Sequence, residues 1–145
     1  MGILTSRTSR LEAELQARLQ LREPRRDAYA EFIRASRAVQ NALYVAHDQH
    51  LDGADARVMA TAINDHEEAV IAAYSRVALE GPDSVVLAAD AVIAAESVIW
   101  RSARAHSDAG LDPNEEPLGL HAVGDLASRI RDFITAARKA VDISS

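Results

Sequence analysis

The chain has 145 residues, 48% of them hydrophobic and 26% charged, with a formal net charge of −6, no Cys, six Gly and four Pro. That size makes a single globular body, and the composition excludes a disordered chain, a disulfide scaffold and a thiolate metal site. An acidic whole repels nucleic-acid phosphates, no apolar run approaches the roughly 18 residues of a membrane span, and the start lacks a secretory apolar core, so a cytoplasmic protein is expected.

Ala supplies 29 residues. It is the strongest helix former, and so many of them with so few breakers argue for helices throughout. Nothing alternates with period two for long enough to make a strand.

In chain order, residues 1–23 read as an amphipathic arm in which Leu11, Leu15 and Leu19 recur every four residues, flanked by Arg and Glu. Residues 1–40 hold eight Arg against five acids, and the remainder eight basic residues against seventeen acidic ones. A basic start on an acidic body suits contact with the body of a neighbouring copy. Run straight into the first helix, the arm makes a rod of about 40–45 residues that overhangs the others by roughly 25–30 Å. Pro24 opposes a smooth join, because its ring clashes with the carbonyl of Gln20 and it donates no hydrogen bond; a kink or short break is expected there. An amphipathic helix this short is marginal alone. Its stripe therefore folds back on its own bundle, packs against another chain, or frays. A membrane surface suits it poorly, since Glu12 and Glu14 share the segment and the stripe is narrow.

Residues 24–145 read as four helices. The first, from Pro24 to His50, spaces Tyr29, Phe32, Ser36, Val39, Leu43 and Ala46 at alternating threes and fours. The second opens at Asp52, a capping residue, and carries Met59, Ile63, His66, Val70, Ala73 and Val77 before stopping at Gly81-Pro82. The third carries Val85, Ala89, Val92, Glu96, Ile99 and Ala103, with Trp100 beside the stripe, and ends near His106. Asp112-Pro113-Asn114-Glu115 has the form of a capped helical turn. The fourth holds Val123, Leu126, Ile130, Phe133, Ala137 and Val141. Four matched rods with seams of this spacing describe an all-α, up-down-up-down four-helix bundle with an added N-terminal amphipathic segment. Tyr29, Phe32, Trp100 and Phe133 are the expected core anchors.

Two polar residues stand on apolar seams. Glu96 lies among Val92, Ile93, Ile99 and Trp100, and His66 between Ile63 and Val70. A hairpin turning at residues 80–83 sets position 66 opposite roughly position 97, so His66 and Glu96 form a possible polar core pair. One reading makes it a ligand pocket or acid–base pair. The other makes it a register-fixing contact, or two side chains escaping to a groove edge.

Other chemistry finds little support. No Glu-x-x-His repeat supports a carboxylate-bridged metal pair. The Asp48–Gly53 stretch fails as a calcium loop, having His50 at its third place and Met59 at its twelfth. His47 and His50 with Asp48 and Asp52 are better read as a solvated helix end than as a zinc site. Nucleophile elbows and phosphate-binding glycine loops are absent from the sequence. No metal or cofactor is expected.

The stretches Arg25-Arg26-Asp27-Ala28-Tyr29-Ala30-Glu31-Phe32-Ile33 and Leu79-Glu80-Gly81-Pro82 resemble small helical proteins of Streptomyces and related actinobacteria, with an Arg-Arg-x-Ala-Tyr-x-x-Phe start and a Gly-Pro hairpin. The resemblance covers roughly residues 22–105 and implies a cytoplasmic helical domain without assigning a catalytic residue. Some of those proteins carry membrane segments, which are not expected here.

The function expected from all of this is non-enzymatic. The chain reads as an interaction or adaptor module, associating with itself as a homodimer or with another protein. Leu11, Leu15, Leu19, Arg18 and Arg22 form the contact. The alternative is a ligand-binding or enzymatic bundle using His66 and Glu96.

Overall fold

The computed structural model describes the backbone of residues 2–51, 56–108 and 120–143, and the side chains of residues 9–13, 23–46, 48, 58–105 and 122–142. Within them the chain makes four helices: α1 Gly2–Leu51, α2 Ala56–Glu80, α3 Asp83–Asp108 and α4 Leu120–Ile143. Helix α1 packs on α2 and α4, and α3 completes the ring by packing on the same two. No strand occurs among the described residues. The up-down bundle expected from the seams is the fold.

The seams account for the core. On α1, Tyr29, Phe32, Ser36, Val39, Leu43 and Ala46 are all buried, and so are the seam residues of α3 and α4. On α2 every seam residue but one is buried; His66 is only half-buried. Alternation by three and four keeps one stripe of each rod facing the axis, where lost water contact stabilises it by about 25 cal/mol per Å² of apolar surface. Phe133 anchors an aromatic cluster. Its ring meets Phe32 at 4.7 Å and Tyr29 edge-on at 6.1 Å. Trp100 differs from expectation: its ring lies half-buried at the α2/α3 rim, because it stands beside the α3 stripe and not on it. Arg104, one turn on, lies over its ring at 5.5 Å.

The turn between α2 and α3 uses two residues, Gly81 and Pro82, joined by a cis peptide bond. Gly81 has φ of 58°, the left-handed conformation that ends a helix, and its N–H donates to the Val77 carbonyl at 2.9 Å. The Pro82 carbonyl then accepts from Val85 and Val86, starting α3.

One expectation needs correction: no break falls at Pro24, and the N-terminal segment is continuous with the first helix of the bundle. Helix α1 runs through Pro24 over 50 residues, about 75 Å at 1.5 Å per residue. A single proline removes one backbone hydrogen bond from a helix that is anchored on its C-terminal side by α2 and α4, and that loss does not end it. Asp52, the expected start of α2, and the turn expected at Asp112–Glu115 lie outside the described residues.

Candidate functional site

The N-terminal part of α1 is where the molecule departs from a plain bundle. Ser9, Arg10, Leu11, Glu12 and Ala13 are all exposed, Leu11 at 62% of its surface. Five consecutive positions exceed the 3.6 residues of a turn, so no side of the helix is buried at this level among the described residues. Leu11 is therefore not folded back onto its own bundle. Leu15, Leu19, Arg18 and Arg22 belong to the same helix, but their side chains lie outside the described residues.

The base of this helix is tied to the bundle end that carries the α2/α3 turn. The Arg25 Nε–H donates to the Glu80 carbonyl at 3.1 Å, and the Tyr29 hydroxyl donates to the Gly81 carbonyl. Burial raises the Tyr29 hydroxyl pKa above its ordinary 10, the Arg25 charge opposes that rise, and the Glu80 carboxylate adds to it. One turn further, Arg76 of α2 pairs with Glu31. A groove of about 420 Å³ opens between α1 and α4, with Arg26, Arg37 and Arg138 around a floor that includes Ile33 and Ile134.

The second place of interest is between α2 and α3. A cleft of about 100 Å³ has apolar walls of Ile63, Val70, Ile71 and Ile93 and polar members Glu67, Glu96, Ser97 and Trp100. Glu96 retains 7% of its surface, and its Oε1 has no hydrogen-bond partner; nor does the buried Nε1 of Trp100. Burial, and secondarily the nearby Glu67 carboxylate, push the Glu96 pKa from 4.5 up to about 8.

The structure does not make the expected pair of His66 and Glu96. His66 does not line the cleft, and Glu67 takes the place across from Glu96. A two-residue turn at 81 and 82 sets positions summing to about 163 opposite one another. The contact between Tyr74 and Asp90 obeys the same register. Positions 67 and 96 fit that sum, and 66 and 96 miss it by one residue, as Tyr74 and Asp90 do. The register alone therefore does not separate Glu67 from His66, and the apolar stripe of α2 drew attention to His66. Nothing in the sequence pointed to the unpartnered Trp100 N–H.

No group of three or more metal-ligating residues occurs among the described side chains, and His47, His50 and Asp52 lie outside them. No helix among the described residues is long and apolar enough to cross a membrane. The fold and these sites define an all-α bundle with an extended first helix. Comparison with protein-family models, curated proteins and solved structures finds no match to this chain.

Proposed function

We propose that this chain is a non-enzymatic interaction module that pairs with a second copy of itself through the N-terminal part of α1. The observation that carries the reading is the bare helix at residues 9–13 with Leu11 on it. An isolated helical stretch is marginal in water, and packing against a partner supplies the stability that it lacks alone.

The sequence of the arm favours a second copy over an unrelated partner, because it is complementary to itself. Antiparallel pairing centred on position 15 sets Leu11 opposite Leu19, Leu15 opposite Leu15, and Glu12 opposite Arg18. Such a contact repeats under a twofold axis, the commonest symmetry of soluble oligomers. The leucines supply apolar area, and the two Glu–Arg pairs select the antiparallel register.

Sedimentation velocity on the full chain tests this. The wild type is expected to sediment as a dimer at micromolar concentration, and the L11D/L15D variant as a monomer with unchanged helicity. Reversing one charge in E12R weakens the dimer, and E12R/R18E restores it. A wild type that stays monomeric, or a dimer indifferent to L11D/L15D, overturns the reading.

A further inference from the structure

The cleft between α2 and α3 has features that self-association leaves unexplained. Glu96 is more than nine-tenths buried, and its Oε1 is an acceptor without a donor. One turn along the same helix the Trp100 N–H is a donor without an acceptor. Each orphaned group costs stability in a dry setting. Across the cleft stands a second carboxylate, Glu67, and the lining contains no cation.

We propose that this cleft binds a small aliphatic ammonium that also carries an acceptor oxygen, a molecule of the amino-alcohol class. Both orphaned atoms are closed to water, so binding turns the two side chains toward the cleft that they line. The ammonium then lies between the carboxylates of Glu96 and Glu67, and the oxygen accepts from the Trp100 N–H. Its methylenes lie against Ile63, Val70 and Ile93. Positions 96 and 100 are one turn apart, about 6 Å along the axis, which puts the two orphaned groups on one side of α3 within reach of a single small molecule.

Each part of this ligand answers a particular feature. A neutral amide satisfies both orphaned atoms but does nothing for the two carboxyl groups that line one cleft. A simple alkylamine answers the carboxylates and leaves the indole N–H unmet. Arg104 already covers the face of the Trp100 ring, so the cation is held by carboxylates and not by the ring. A carboxylate accepting from an ammonium makes a charge-assisted hydrogen bond, stronger than its neutral counterpart.

Trp100 is the chain's one tryptophan, so its indole N–H gives a single, assigned resonance in a ¹H–¹⁵N spectrum of the full-length protein. Propanolamine titrated through the millimolar range above pH 8, where Glu96 ionises, is expected to shift that resonance saturably and to raise Tm. Propanol, lacking the ammonium, and propylamine, lacking the oxygen, bind roughly tenfold more weakly or worse. The isosteric E96Q variant loses affinity by a similar factor while keeping its fold. E67Q weakens binding without removing the orphaned acceptor. Absence of a saturable shift overturns the proposal. So does an equal shift from sodium chloride at the same concentration, or binding of propionamide as tight as that of propanolamine. The L11D/L15D variant is expected to bind propanolamine as the wild type does, which separates this site from the arm.

Discussion

Ser36 occupies a core seam position on α1 with 1% of its surface exposed and no hydrogen-bond partner for its hydroxyl. Replacing it with Ala removes an unsatisfied polar atom and improves helix propensity with little change in volume. S36A is expected to be more stable than the wild type by about 1 kcal/mol, read from the urea midpoint at fixed protein concentration. Glu96 makes a prediction with a pH sign. Its carboxyl releases its proton near pH 4.5 when unfolded and near pH 8 when folded. Between those values the folded state holds a proton that the unfolded state has lost, so the contribution of Glu96 to stability falls as pH rises through that window. The decline is at most about 1.4 kcal/mol per pH unit. E96Q lacks this titration, and the difference in stability between E96Q and wild type is expected to move in favour of E96Q from pH 5 to pH 8. A constant difference would show that the buried carboxyl does not titrate as described. Residue-level reading of the sequence found Glu96 because a carboxylate interrupts an apolar stripe. It set His66 against Glu96 from a register that is good to about one residue, and such a register does not separate position 66 from position 67.

At the scale of the element, the α2/α3 turn and Pro24 were both legible as breakers, and they behave differently. Gly81 adopts a positive φ that closes α2, and nothing crowds the place where a Cβ would stand. G81A is therefore expected to cost about 1–2 kcal/mol through backbone strain alone. Y29F, which removes the hydroxyl donating to the Gly81 carbonyl, is expected to cost about 1 kcal/mol. Thermal unfolding of both variants checks these values. Pro24 does not end its helix, because local propensity yields to an element already held at Arg25 and Tyr29. P24A restores the missing backbone hydrogen bond. It is expected to slow amide hydrogen exchange over the preceding turn while leaving exchange in the bundle core unchanged.

For the whole molecule, the seams were legible because four rods of similar length with alternating three- and four-residue spacing admit few arrangements. The core they predict is the core observed, with Trp100 displaced to the rim. Phe133 is fully buried against Phe32 and Tyr29, and F133A is expected to cost about 3–5 kcal/mol, enough to unfold a marginal domain. Circular dichroism against temperature checks it. What the bundle leaves uncovered was harder to read, since an amphipathic stripe looks the same whether its cover is internal or external; the exposure of residues 9–13 shows that this part of α1 is not covered from within. An uninterrupted first helix also fixes a distance. In the proposed pairing at position 15, each copy would space its Tyr29 about 21 Å from the centre of the contact, which would hold the two bodies about 42 Å apart along the joined rods. That separation is several screening lengths at physiological ionic strength, and two acidic globules held so far apart feel little mutual repulsion. For the proposed pair, solution scattering is expected to give the profile of a dumbbell, with two lobes on a shaft.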